Sequence, residues 1–341
     1  MKKKIIIIST VLVVAAAVLV VALLCFKLVD SIMYSSFYDV AEDEFYIPDL
    51  MDGYVPQGFE YMKEEKVFLS CGYMSNGEDA SRVYVIDRDG EEYYYTELVT
   101  DLLKPYTGHT GGIAYYGEYV YITGDEGIDV FSLEDIMTKS TEKAPKLGTV
   151  NTKDFGVDPA YCFIYDDQLY TGNFHNGENY VAPESQKLNI EGRDKNNAVM
   201  LCFDLHTQQY RNNYYVSQTP VALYSMPDKV QGVCVIEGQG IAISASYGMS
   251  ASNIYVHKMD KVKEITYPYA EAMIGVKNIP LYVIDSKTLD SQLESPPMSE
   301  EIIYLDGKIW IMNESASNAY IFGKFTTGNY LYSVEYPFPV E

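Results

Sequence analysis

The side chains of this sequence best suited to chemistry are scattered hard-oxygen donors and imidazoles. Asp125, Glu300 and Glu314 with Asn173 make a donor set suited to Ca²⁺, which takes roughly six to eight oxygen ligands. His109 and His175 with a carboxylate suit Zn²⁺ with an open position, or an acid and base pair. Gln57, Tyr73, Gln231, Ser246 and Tyr247 add amide and hydroxyl groups of the kind that orient a polar ligand. These residues lie far apart in sequence, so only the fold can make a site of them.

The elements that would do so repeat. A small or polar pair leads into an apolar run, a short turn follows, and a second apolar run ends in small and polar residues. Copies begin at Gln57, Gly111, Ala160, Gln231 and Glu300, with second runs at Val67–Tyr73, Val120–Asp125, Gln168–Asn173, Ile241–Tyr247 and Ile309–Glu314. Third strands are expected at Arg82–Asp87, Ile128–Leu133, Val199–Leu205, Asn253–Lys258 and Asn318–Phe322. Fainter fourth strands fall at Tyr93–Val99, Leu147–Thr152, Val221–Ser225, Leu281–Ile284 and Tyr330–Val334. The density of Val, Ile and Tyr with period-two alternation marks strands, and a recurring unit of this length suits a four-stranded blade. The pattern predicts an all-β, five-bladed β-propeller, with six blades open if one of the two long intervals hides a sheet and a β-sandwich as the structural alternative. Closure is expected near Tyr330–Tyr336, paired with Glu44–Ile47.

In such a ring, the loop entering each innermost strand and the loop leaving the second strand share one face. The register therefore gathers Gln57, His109 with Gly111, Asp158, Gln231 and Glu300. To these it adds Tyr73, Asp125, Asn173 with His175, Ser246 with Tyr247, and Asn313 with Glu314. The same residues also suit a plainer task, since polar turns satisfy backbone groups between blades, and Gln57 matching Gln231 favours that view. An insertion at 176–197 should hang over the funnel as a lid or a mobile loop. His206 and His257, on third strands, are expected at the surface. No Gly-x-Gly-x-x-Gly or Gly-x-x-x-x-Gly-Lys phosphate loop occurs, nor a Gly-x-Ser-x-Gly elbow. The 33 Tyr residues could stack on sugars, but Tyr is also a good strand residue.

The segments Pro56-Gln57-Gly58, Gly108-His109-Thr110-Gly111-Gly112, Val230-Gln231-Gly232-Val233, Ser246-Tyr247-Gly248, Pro297-Met298-Ser299-Glu300 and Asn313-Glu314-Ser315-Ala316 resemble a group of bacterial secreted or membrane-anchored proteins. That uncharacterised group is similar to the YVTN and WD40-like propellers. The resemblance runs from about residue 50 to 325. It implies fold and location and carries no assigned reaction, cofactor or catalytic residue.

Location is also readable at the N-terminus. Ile5–Phe26 is uncharged and long enough to cross a bilayer, for which about 20 residues are needed. Lys2, Lys3 and Lys4 precede it, so the positive-inside rule keeps the N-terminus in the cytoplasm and the rest outside. The exit at Leu23-Leu24-Cys25-Phe26 lacks a signal-peptidase pattern, and Leu24 is a poor residue before a lipidated Cys25. The expected organisation is a cytoplasmic N-terminus (1–4), a transmembrane signal anchor (5–28), a linker with a possible closing strand (29–50) and an extracytoplasmic propeller (51–341). Cys71, Cys162, Cys202 and Cys234 each lie in an apolar run and are expected buried and unpaired.

With 25 Lys+Arg against 48 Asp+Glu and a net charge of −23, nucleic acid is a poor partner. The expected function is a binding or scaffolding module held at the outer face of the cytoplasmic membrane, its funnel taking a protein or carbohydrate ligand. The alternative is a hydrolase or lyase of sugar-derived or lactone substrates, using Ca²⁺ or Zn²⁺ at the same funnel.

Overall fold

A computed structural model describes residues 2–262, 264–265, 269–321, 323 and 328–338. Helix α1 (Lys2–Met33) is long and apolar enough to cross a membrane, with a mean hydropathy of 2.5 in Val13–Met33. A short turn of helix, α2 (Ser35–Tyr38), follows and buries Phe37. Every large element after it is a strand, arranged as five sheets.

Strand β1 (Ala41–Tyr46) comes first in the chain but belongs to the last sheet. Blade 1 contains β2 (Tyr54–Met62), β3 (Val67–Met74), β4 (Arg82–Asp87) and β5 (Tyr93–Val99). Blade 2 has β6 (Ile113–Tyr116), β7 (Tyr119–Gly124) and β8 (Gly127–Ser132), then α3 (Leu133–Met137). The chain next lends β9 (Lys143–Pro145) to blade 1, parallel to β5, before β10 (Gly148–Asn151) completes blade 2. Blade 3 is β11 (Pro159–Tyr165), β12 (Gln168–Asn173), β13 (Ala198–Asp204) and β14 (Ala222–Met226). Blade 4 begins with β15 (Val230–Ile236), β16 (Gly240–Ala245) and β17 (Ser252–Lys258). A detour through β18 (Glu264–Ile265), α4 (Tyr269–Ile274) and β19 (Leu281–Val283) widens blade 3, and β20 (Leu289–Ser295) then returns to blade 4. Blade 5 is β21 (Ser299–Leu305), β22 (Lys308–Asn313) and β23 (Tyr330–Glu335), with β1 as its outer strand.

Consecutive innermost strands touch in turn, and β21 meets β2, so the ring is closed. Five apolar clusters fill the five seams. The seam between blades 5 and 1 centres on Phe68, whose ring lies 4.9 Å from Phe59, 5.2 Å from Trp310 and 5.4 Å from Phe45. Cys71, Cys162, Cys202 and Cys234 are free thiols buried in these seams.

The hairpins β11–β12 and β21–β22 turn at Asp166-Asp167 and Asp306-Gly307, all four residues at positive φ, as a tight turn matched to strand twist requires. Two expected strands differ in the structure. Leu281–Val283 pairs with β14 in blade 3, and the outer strand of blade 4 is the polar, alternating β20. Asn318–Ile321 forms a turn, with Phe322 outside the described residues, so β23 takes the third place in blade 5. The long interval after Gln231 holds the detour that widens blade 3, and no sixth sheet is present among the described residues.

Candidate functional site

The innermost strands of blades 1, 3, 4 and 5 carry the same irregularity. Their pairing slips at Pro56/Gly58, Pro159/Tyr161, Val230/Gly232 and Ser299/Ile302. A bulge sets two residues against one and re-aims a side chain. Here it puts Gln57, Gln231 and Glu300 on one axial cavity of about 860 Å³. Beneath, the strands close in. A Cβ on Gly112 would lie 2.5 Å from the Cys162 nitrogen, and one on Gly232 would lie 2.7 Å from the Glu301 Cα. Glycine at these places lets the ring taper.

Ten of the fourteen residues that the repeats assign to the funnel line this cavity: Gln57, Tyr73, His109, Asp125, Asp158, Asn173, Gln231, Tyr247, Glu300 and Glu314. Its floor is a hydrogen-bond network. Gln57 Nε2 and the Tyr320 hydroxyl both donate to Glu314 Oε2, each at 2.7 Å. Gln231 Nε2 donates to Glu300 Oε1 at 3.4 Å, and the hydroxyls of Tyr73 and Tyr320 are 3.4 Å apart. Glu300 and Glu314 are hydrogen-bonded to each other. Burial pushes the Glu314 carboxyl up to about 7 and holds Glu300 well above the usual carboxylate range, Glu314 adding like-charge repulsion to Glu300, so the pair favours holding a proton. Burial also lowers His109, whose ring lies 5.2 Å from Tyr73.

His175 and Ser246 do not line this cavity. His175 is buried beneath the insertion, where its Nδ1 accepts from the Ala182 N–H at 3.0 Å, so it anchors a loop instead of facing a ligand. Ser246 Oγ accepts from Ser252 Oγ at 2.8 Å and borders a separate cavity of about 340 Å³ between blades 3 and 4. His257 is buried too, with Nδ1 2.9 Å from Thr288 Oγ1, and burial lowers it to about 4. His206 is exposed.

The proposed ion ligands do not converge. Among the described residues, no three His, Cys, Asp or Glu side chains form a group able to hold a metal. Asn173 spends its amide on structure: Nδ2 donates to Gln186 and Oδ1 accepts from the Val199 N–H, both at 2.8 Å. Asp125 stands at the rim, exposed, away from the Glu300–Glu314 pair. The quartet Asp125, Asn173, Glu300 and Glu314 is therefore spread over rim, wall and floor.

The 176–197 insertion does reach the funnel, through Asn179, Tyr180, Val181, Ala182 and Pro183. It is pinned on both sides. Gln186, fully buried, donates to the carbonyls of Phe155 and Gly156, and Arg193 grips Asp285 with two bonds of 2.6 and 2.9 Å. Tyr320, Phe174 and Lys153 also line the cavity and were not expected there. Tyr320 lies in the segment read as a strand, and the others lie outside the repeat's register. Glu301 was also missed. It takes the repeat position held by Gly58, Gly112 and Gly232, is 1% exposed, and lies against the backbone N–H groups of Val233 and Ile302, which offset part of the rise that burial gives its carboxyl. Burial, with Glu60 nearby, raises its carboxyl well above the usual range.

No family model matches the chain, and no curated protein matches it. Among solved structures, the PQQ-bound aldose sugar dehydrogenase of Streptomyces coelicolor is similar over 80% of this chain and 78% of its own, at 14% identity and a TM-score of 0.44. The glutaminyl cyclase of Myxococcus xanthus matches over 87% and 95%, at 9% identity and 0.43. The Cps50 (Swd1) β-propeller domain of Myceliophteria thermophila matches over 82% of each chain, at 10% identity and 0.39. By its own sheets the chain is a five-bladed β-propeller, preceded by one apolar helix of membrane-spanning length.

Proposed function

We propose that this chain is a ligand-binding module, anchored by α1 with its propeller on the outer face of the cytoplasmic membrane, and that the axial funnel is its binding surface. The observation that carries the reading is convergence. Side chains from all five blades meet on one cavity whose floor is a connected set of amides, hydroxyls and carboxyls. A largely pre-formed concavity with a few converging polar groups is the usual form of a small-ligand site. The donor set of the hydrolase alternative is dispersed among the described residues, which favours binding over metal-assisted hydrolysis or elimination.

The test uses the full chain in detergent micelles, with saturation-transfer NMR against a panel of glycan fragments and short peptides. A Gln231→Trp variant, with a bulky ring filling the floor of the funnel, should abolish the transfer seen with the native chain. Transfer that survives the plug would place binding elsewhere and overturn the reading. Orientation is tested separately. A reporter active only outside the cell, fused after Asp30, should be active; silence would reverse the topology.

A further inference from the structure

We propose that the funnel's ligand is an organic cation, an ammonium group carried on an apolar or hydroxylated body. The inference rests on the funnel being a binding site and goes on to name what it binds.

Charge is the first argument. Asp125, Asp158, Glu300 and Glu314 line the cavity, and the single lysine there, Lys153, is already paired with Asp158. Among the described residues, no arginine lines it. An anionic ligand would meet carboxylates without a free basic partner, whereas an ammonium would meet them with nothing opposing it.

The floor is the second argument. Two carboxyls held in mutual hydrogen-bond contact cannot both ionise at low cost unless a positive charge comes between or beside them. Glu300 and Glu314 are in that state, and their other partners are the neutral side chains of Gln57, Gln231 and Tyr320. The next residue along the chain, Glu301, is 1% exposed and adds its field to Glu300. A cation seated on the pair would relieve the repulsion between the two carboxyls.

The walls are the third argument. Tyr73, Phe174, Tyr180, Tyr247 and Tyr320 surround the acidic floor. Aromatic faces carry negative potential and attract ammonium groups, most strongly where water is excluded. Phe174 stands 5.4 Å from Tyr180 and 6.0 Å from Tyr247, centroid to centroid, and Tyr320 is fixed by its bond to Glu314. Rings and acid together match a cation with an apolar shell, which a neutral sugar would use only in part.

The probes are two pairs that differ in charge but little in shape: choline with 3,3-dimethylbutan-1-ol, and glucosamine with glucose. Calorimetry on the full chain in micelles at neutral pH should show at least one charged member binding tenfold or more tightly than its neutral counterpart. Repeating it in buffers of different ionisation enthalpy should show proton release, because the bound cation displaces the proton that the pair holds. Glu314→Gln should erase the preference, with circular dichroism confirming its fold. Asp125→Asn, at the exposed rim, should fold regardless and weaken the charged member about threefold. Neutral members binding as tightly as charged ones would overturn the cation inference and leave the funnel reading standing. Binding of charged members that persists unchanged in both variants would overturn it as well. Silence from all four probes would overturn it, while the glycan and peptide panel judges the funnel reading independently.

Discussion

Replacing Glu60 with Gln should change how the stability of this protein depends on pH. Glu60 lies on the innermost strand β2, toward the end of the axis away from the funnel, and burial raises its carboxyl from 4.5 to about 7; the Tyr61 N–H, donating at 2.8 Å, offsets part of that rise. The fold therefore favours the protonated form. Between pH 4.5 and 7 the native chain holds a proton at Glu60 that the unfolded chain has lost, so this residue's contribution falls as pH rises through that window and is flat above it. At about 1.36 kcal/mol per pH unit, the loss approaches ~3 kcal/mol. The change in net charge over the same range acts on both proteins, so the difference between variant and native chain isolates Glu60. Trp310, the single tryptophan, is 1% exposed and gives a fluorescence signal for urea unfolding. Relative to the native chain, Glu60→Gln should gain about 3 kcal/mol between pH 5 and pH 8. A difference that stays constant with pH, or shrinks, would refute the assignment of Glu60 as a buried neutral acid.

Other outcomes follow from packing. Phe68→Ala should cost about 3–5 kcal/mol in the same urea titration, because a fully buried ring is lost from the seam between blades 5 and 1. Gly112→Ala should lower the thermal midpoint by an amount equivalent to about 1–3 kcal/mol or more, since its Cβ meets backbone of the next blade at 2.5 Å. Arg193→Ala should leave Asp285 buried without its partner, cost about 3–5 kcal/mol, and speed limited proteolysis within 176–197 ahead of any other cut. Phe45→Ala should weaken ring closure by about 3–5 kcal/mol and make hydrogen exchange in β23 faster than in β3.

Much of the ring was legible because blades repeat what they bury. Val67–Tyr73, Gln168–Asn173 and Arg82–Asp87 are strands in the structure, with bounds within a residue of those expected. β20 escaped notice because it is an outer strand with polar residues at alternate positions, Leu289-Asp290-Ser291-Gln292-Leu293, whereas Leu281–Val283 is apolar and attracted the assignment. Which sheet a short apolar run joins depends on tertiary pairing, and local sequence is silent on that. The funnel was legible through register, since bulges at matching positions aim Gln57, Gln231 and Glu300 alike. His175 and Ser246 fell just outside it because hydrogen bonds to Ala182 and Ser252 turn them into the protein. Glu301 was hidden by its neighbour. Only comparison with the glycines at the same repeat position singles it out.

The chain enters the ring low on blade 5. Ala41 pairs with Val334 near the Asp306-Gly307 hairpin, while the funnel opens at the other end of the same sheet, beside Glu314. Only seven residues separate the end of α1 from the start of β1, and the Tyr38 hydroxyl bonds Asp30 at 2.8 Å across that gap. In the membrane-anchored form proposed above, such a short stalk would hold the propeller near the lipid with its mouth facing away from it. Anything arriving from the surrounding medium would reach the opening without first crossing the headgroup layer, and a large object could dock there as readily as a small one.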